Sequence, residues 1–273
     1  MTTRIALATD IHVGYDRDGL AAAAQDRFDQ LIAAINAASV DFIIFGGDLV
    51  ENADTDEMRD FIECARQFDA PHRAIPGNHD VGNRKLPGKE GDEMEVNAER
   101  VARFEACFGL SFWRKDINGA VRVLGVNASL FGSGLEREEE QWQWLEAQLN
   151  ESDALPTLLT THYPLYLETP DEDGATEWNA DLPKDYWTIE PQSRRRLFEL
   201  LTRGNVRAVL SGHLHHPLRH EREGVLLLSS VPVAFALPRA QPPGEVSWPG
   251  WTLISVAENG EVEAEWQRLD EET

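Results

Sequence analysis

Five short stretches of the chain share one layout: an apolar or β-branched run that ends in polar residues. They are residues 4–12 (RIALATDIH), 40–49 (VDFIIFGGDL), 71–80 (PHRAIPGNHD), 156–164 (PTLLTTHYP) and 206–216 (VRAVLSGHLHH). The apolar runs predict buried strands. Between several of them the apolar positions recur at helical spacing. This predicts helices over 20–38, 55–68, 137–149 and 192–203, the second opened by Thr55 with acids in its first turn. Strand, helix and strand in alternation predict βαβ units and a largely parallel sheet. Ligands of open α/β sheets bind outside the carboxyl ends of the strands. Because each polar cluster follows its strand, all five are expected at one edge.

The tail reads differently. Residues 224–237 and 250–269 predict strands, with a hairpin turn at 258–261 (ENGE) and a Pro-rich link between them. No internal repeat and no dividing linker stand out. The expectation is a single domain over 1–273, with inserts near 81–118 and 167–190 and a C-terminal β segment at 224–269.

Composition narrows the function classes. The 273 residues suffice for a substantial core, and 42% hydrophobic with 27% charged residues is ordinary for a globular chain. No apolar stretch approaches the ~20 residues that span a bilayer. The first ten residues lack the charged and long apolar regions of a secretory signal, so the expected location is cytoplasmic, with no membrane partner. Cys64 and Cys107 sit in helix-like contexts outside any CxxC pattern and read as buried thiols. A net charge of −23 argues against broad nucleic-acid binding. It leaves room for a small phosphate ester, since bound cations reverse a local field. Oligomeric state is not legible.

The chemistry lies in the polar clusters. They supply Asp10 and His12; Asp48 after Gly46 and Gly47; Asn78, His79 and Asp80 after Gly77; His162; and His213 and His215 after Gly212. The donors are oxygen and nitrogen without thiolate, a set suited to Mn²⁺, Fe or Zn²⁺. Two carboxylates, four imidazoles and an amide exceed one tetrahedral zinc and suit two metal ions sharing a bridge. Two cations about 3.5–4 Å apart can clamp a phosphoryl group and generate hydroxide near neutral pH.

In order, D-x-H, G-D, G-N-H-D, H and G-H-x-H resemble the calcineurin-like metallophosphoesterase superfamily, over Asp10 to His215. The pattern is most similar to the bacterial class III cyclic-nucleotide phosphodiesterase-like group. The resemblance implies an α/β fold, a four-layer αββα sandwich of two mixed β-sheets flanked by helices. It implies that Asp10, His12 and His215 bind one metal, that Asn78, His162 and His213 bind the other, and that Asp48 bridges both. It makes His79 the group near the leaving group, with Asp80 behind it as its orienting carboxylate. His216, His220 and His72 have no role in the pattern. The implied activity is phosphate-ester hydrolysis by metal-activated hydroxide, with phosphodiesters favoured. The alternatives are a phosphomonoesterase and a non-catalytic metal-binding module on the same fold. "GDLVENA" lacks the arginine of the protein Ser/Thr phosphatases, and Glu51 stands where purple acid phosphatases have a tyrosine. Trp178, Tyr186 and Trp187 are candidates to stack on a substrate, with packing of their loop preferred. Arg194, Arg195 and Arg196 are candidates to attract phosphate, with a solvated helix face preferred. Of Trp142 and Trp144, at least one is expected in the core.

Overall fold

Alternate residues of the first two strands go to different layers. In β1 (Thr3–Ala8), Ile5 and Leu7 join one apolar cluster while Ala6 and Ala8 join another. In β2 (Phe42–Phe45), Phe42 and Ile44 go with the former pair and Ile43 and Phe45 with the latter. A strand apolar on both faces needs cover on both. The structure, a computed structural model, describes residues 2–16, 21–86, 88, 91–151, 155–172, 186–236 and 247–269. Among them the cover comes from a second sheet on one side and helices on the other.

The elements follow the chain as β1, α1 (Ala21–Ala38), β2, α2 (Thr55–Ala65), β3 (His72–Ala74), α3 (Asn78–Val81), α4 (Ala98–Phe108), β4 (Trp113–Ile117), β5 (Val121–Gly125), α5 (Glu136–Leu149), β6 (Thr157–Thr160), α6 (Pro191–Leu201), β7 (Val206–Ser211), β8 (Leu218–Arg222), β9 (Val225–Ser229), β10 (Gly250–Val256) and β11 (Val262–Arg268). The first sheet has the order β11-β10-β1-β2-β3, the second β4-β5-β6-β7-β9-β8. Neighbours β1, β2 and β3 run parallel, and β10 pairs antiparallel with β1, from Thr3 opposite Val256 to Leu7 opposite Thr252. In the second sheet β5, β6, β7 and β9 run parallel between antiparallel edge strands.

Three apolar layers hold the stack together. Phe28 and Leu31 of α1, Met58 and Phe61 of α2, and Phe104 of α4 pack on the first sheet. Trp142 and Leu145 of α5, with Leu197 and Leu200 of α6, pack on the second. Ile5, Leu7, Ile44, Val123, Leu158, Leu210 and Ile254 fill the space between the sheets. This is the four-layer αββα sandwich of two mixed sheets. The expectation of a largely parallel sheet carrying all five motifs is corrected: their strands divide between two sheets, β1, β2 and β3 in one, β6 and β7 in the other.

The four helices foreseen are present within three residues at each end. The insert at 81–118 holds α4, whose N-cap Asn97 accepts a hydrogen bond from the Arg100 amide at 3.0 Å. Cys64 and Cys107 are free and half-buried against the outer layer, less covered than expected. Trp142 is core, and Trp144 packs half-buried beside it. No helix among the described residues is long and apolar enough to cross a membrane.

One polar contact ties the sheets at their edge. The Trp113 indole N–H on β4 donates to the Ala74 carbonyl on β3 at 2.6 Å, in a buried setting. Trp113→Phe keeps an aromatic ring there but removes the donor. Leaving a buried carbonyl without its partner costs roughly 1–3 kcal/mol. The variant is expected to unfold at lower urea by that amount, with its metal content unchanged.

Candidate metal centre

Every polar cluster leaves the carboxyl end of its strand, and the two sheets bring these ends together. Asp10 and His12 follow β1, Asp48 follows β2, Asn78, His79 and Asp80 form α3 after β3, His162 follows β6, and His213 and His215 follow β7. Backbone hydrogen bonds knit the loops. The Asp10 amide donates to the Gly47 carbonyl at 3.0 Å, the His12 amide to the Asp48 carbonyl at 3.0 Å, and the Gly212 amide to the His162 carbonyl at 2.9 Å. The His213 amide donates to Asp10 Oδ1 at 3.1 Å, which joins the two sheets.

The turns are tight. Asp10, His12, Asp48, His213 and His215 all have left-handed backbone, with φ between 50° and 68°. For L-residues this costs about 1–2 kcal/mol each. Such strain persists where the surroundings over-determine it. Gly47 (φ 96°) has no such option: a Cβ there would lie 2.5 Å from His162 Nδ1. A Cβ on Gly77 would lie 2.2 Å from Asp48 Oδ1, so glycine lets α3 approach the carboxylate.

Each of four imidazoles has one nitrogen against a fixed acceptor. His215 Nδ1 lies 2.6 Å from the Phe235 carbonyl, His162 Nδ1 2.9 Å from the Gly46 carbonyl, and His213 Nε2 3.2 Å from the Tyr186 carbonyl. His12 Nδ1 lies 2.8 Å from Glu51 Oε2. Carbonyls and carboxylates only accept, so these nitrogens must donate. In a neutral ring the other nitrogen is then a bare lone pair. Those bare nitrogens converge. His12 Nε2 and His215 Nε2 are 3.1 Å apart, His215 Nε2 is 3.3 Å from Asp10 Oδ1, and His162 Nε2 is 3.2 Å from Asp48 Oδ2. Acceptor faces acceptor. Asn78 Oδ1 and His162 Nε2 are buried without a hydrogen-bond partner. Only a cation or an added proton satisfies such an arrangement. Ligand atoms of Asp10, His12 and His215 lie within 4.8 Å of one another, as do those of Asp48, His162 and His213, so each set could hold a metal ion. Asp48 Oδ2 lies between the sets, 3.7 Å from His12 Nε2, while Oδ1 accepts from the His79 amide at 2.8 Å.

The charges follow from this geometry. Burial opposes ionisation of Asp48, but His162, His79 and His12 hold its carboxyl well below the usual range. Burial likewise opposes the charge on Asp10, and His215 holds its pKa below the ordinary value. Burial disfavours a protonated His162, yet the facing Asp48 raises its pKa to about 9. Burial and the neighbouring His162 push His213 down to about 3.

Beside this centre His79 donates Nδ1–H to the Glu51 carbonyl at 2.8 Å, with the Glu51 carboxylate 3.5 Å away. Burial works against its proton, but the Asp48 and Glu51 charges raise its pKa overall. Asp80 does not orient this ring, contrary to expectation. Its buried carboxylate accepts from the Gly77, Leu49 and Val50 amides at 2.7, 3.0 and 3.1 Å, clamping the turn after β2 to the start of α3. Burial and the Asp48 charge push its pKa up to about 7. The carboxylate behind the imidazoles is Glu51, which sequence reading noticed only for not being tyrosine. Its place three residues beyond the G-D motif was the available signal.

His216 is buried beside the site but joins neither ligand set, and His220 donates to the Leu167 carbonyl away from it. Of the stacking candidates, Trp187 is buried against Leu167 and Leu214, and Tyr186 packs on His213 with ring centres 5.0 Å apart; Trp178 lies outside the described residues. Arg194 is neither solvated nor aimed at the site: it is buried and bound to the Leu165 and Glu172 carbonyls. Arg196 lies over the Trp142 ring. A stacked pair missed from sequence, Tyr15 and Phe235 with centres 4.3 Å apart, flanks His12 and His215.

Residues 3–217 match the family described as "Calcineurin-like phosphoesterase". The chain belongs to this family. It is 29% identical over 206 residues to "Serine/threonine-protein phosphatase CPPED1" of Mus musculus, covering 68% of this chain and 58% of that protein. It is 34% identical over 128 residues to "Probable glycerophosphodiester phosphodiesterase GpdQ" of Arcobacter nitrofigilis, covering 45% of this chain and 42% of that one. The chain thus spans 58% and 42% of the lengths of these two relatives. Among solved structures, the purple acid phosphatase PPD1 from yellow lupin (Lupinus luteus) seeds superposes with a TM-score of 0.71 at 13% identity, over 98% of this chain and 52% of that one, a likeness of fold.

Two outcomes are expected. Asp80→Asn sets an amide N–H against backbone donors and should cost roughly 1–3 kcal/mol of stability, read by thermal melting. The pH dependence of turnover should keep its shape; a changed limb would restore a direct role for Asp80. His162, raised from 6.5 to about 9 in the metal-free fold, adds stability there that is complete below 6.5 and lost as pH rises through about 9. A metal ligand must be neutral. Metal binding near neutral pH should therefore release a proton, seen as binding heats that differ between buffers of different ionisation enthalpy.

Proposed function

We propose that this calcineurin-like phosphoesterase hydrolyses phosphate esters at a dinuclear metal centre, with phosphodiesters the favoured class. The observation that carries the reading is the pair of donor sets meeting at Asp48, every imidazole already turned by its own acceptor. Asp10, His12 and His215 hold one ion, Asn78, His162 and His213 the other, and Asp48 spans them. Such ions, when bound, supply positive charge to the phosphoryl oxygens and acidify a water. Their identity is Mn, Fe or Zn, all of which accept these ligands.

The remaining work belongs to side chains of this chain. The Glu51 carboxylate keeps His12 Nδ1 protonated, so that Nε2 faces the metal. The Glu51 carbonyl holds His79 by its Nδ1–H, so Nε2 is the atom that carries the second proton when the ring is an imidazolium. A quarter of the His79 side chain is exposed, so Nε2 can reach the departing oxygen and hand over its proton. Burial works against that proton, and the Asp48 and Glu51 charges favour it, with the net shift upward. Fixed donors of this kind contribute position and electrostatics rather than a covalent intermediate.

The phosphodiester preference draws support from the likeness to GpdQ, whose name is that of a phosphodiesterase. A phosphomonoesterase is the second reading, favoured by CPPED1, named a protein phosphatase and matched over more of the chain. The unpaired thiols suit a reducing, cytoplasmic setting.

Hydrolysis of bis(p-nitrophenyl) phosphate and p-nitrophenyl phosphate, with Mn²⁺ and with chelator, tests the reading. Chelator-sensitive cleavage of the diester above the monoester is expected. The reverse preference would move the substrate to monoesters, and bound metal without turnover of either would favour a non-catalytic module. His79→Ala should retain both metals and lose about 10²–10⁴-fold in rate, most for poor leaving groups. Asp48→Asn should lose metal and activity together.

A further inference from the structure

The chain passes from the second sheet to the first beside the centre. After β9 the Ser230 amide donates to the Ser211 carbonyl of the second sheet at 2.9 Å, and further on the Val233 amide donates to the Thr9 carbonyl beyond β1 at 3.0 Å. Val233 and Ala234 are fully buried. The next bonds fall on metal ligands. The Ala234 amide donates to the Asp10 carbonyl at 3.0 Å, and the Phe235 carbonyl accepts from His215 Nδ1 at 2.6 Å. The Phe235 ring lies against those of His215 and His12, with centres 4.6 and 5.2 Å away. Ala234 and Phe235 together thus touch Asp10, His12 and His215, the whole of one donor set. The other set is held from elsewhere, His162 by the Gly46 carbonyl and His213 by the Tyr186 carbonyl. The crossing segment has a tether of its own. Arg27 reaches it from α1, where the neighbouring Phe28 is buried in the outer apolar layer, and Arg27 Nη1 donates to the Ala234 carbonyl.

We propose that residues 233–235 are a strap that positions the first metal half-site, and that Arg27 is the positioning residue that holds the strap. The proposal rests on the reading that Asp10, His12 and His215 hold that ion. Arg27 fixes the peptide that joins Ala234, which bonds Asp10, to Phe235, which bonds His215. A guanidinium donating to a carbonyl makes a charge-assisted bond, stronger than a neutral one. If that peptide turns, His215 loses the acceptor that fixes its Nδ1–H, and Nε2 is no longer aimed at the ion. Affinity for one ion of the pair is therefore tied to a side chain on the outer helical layer.

The test is calorimetric titration of the full-length, metal-free chain with Mn²⁺, with His215→Ala and His213→Ala marking which equivalent belongs to which donor set. Arg27→Ala should weaken the equivalent that His215→Ala removes by about 10-fold, the lower end of what loss of an outer partner costs, and the other equivalent should hold. Arg27→Lys keeps one charged donor for the one carbonyl and should restore most of that affinity. A second readout needs no metal. Nitrogen-15 NMR of the metal-free protein should show the His215 Nδ1 proton exchanging faster with water in Arg27→Ala and near the wild-type rate in Arg27→Lys, while the His162 Nδ1 proton keeps its rate in both. Unchanged affinity in Arg27→Ala, equal weakening of both equivalents, no rescue by lysine, or an unmoved His215 exchange rate would each overturn the proposal. Failure of the wild-type chain to take up two equivalents would instead overturn the reading beneath it.

Discussion

Burying one carboxylate among imidazoles that cannot donate to it sets the terms for the rest of the molecule. Asp48 Oδ2 faces the bare ring nitrogens of His162 and His12 because Gly46 and Glu51 have taken their ring protons; Phe235 does the same for His215, which faces Asp10. Buried acceptors left facing each other cost several kcal/mol in an apolar setting. Backbone amides of His213 and His79 reach Asp10 and Asp48 Oδ1, but the bare ring nitrogens still face one another and Asp48 Oδ2, so a cation is the natural complement. A proton on His162 takes that place in the metal-free chain.

Keeping this cluster requires both sheets. Asp10, His12 and Asp48 come from one, His162, His213 and His215 from the other, and the layer between them is mainly apolar. The left-handed turns at five of these residues turn the side chains back over the strand ends. Their cost is borne by the hydrogen bonds that cross from loop to loop, such as the three amides on Asp80. Asp80 is therefore a structural clamp placed one residue from the imidazole proposed to move a proton.

Much of this was legible in the chain because strand, turn and ligand are contiguous in sequence. An apolar run followed by Asp48 or His213 states both where the strand stops and what emerges from it. The partition into two sheets was not legible in the same way. Runs such as FIIF are buried on both faces, so no alternation reveals which neighbour they take; only the resemblance supplied the second sheet. Asp80 was misread for a related reason. An Asp next to a His looks like its partner, yet in a short helix adjacent side chains diverge, and the carboxylate found backbone amides instead. Glu51 and Tyr186 make contacts 27 or more residues away in the chain, and local pattern does not report these.

The pairing of β10 with β1 bears on how the molecule is made. The strand that delivers Asp10 and His12 is flanked on one side by residues 252–256, some 250 positions later. A ribosome emits β1 some 250 residues before β10, so over that span of synthesis this edge of β1 lacks its partner. Contacts so distant in sequence form slowly, since their loop must close before they stabilise anything. The side chains at the end of β1 thus gain their full support only after β10 is made, and an ion taken up there would follow that pairing rather than guide it.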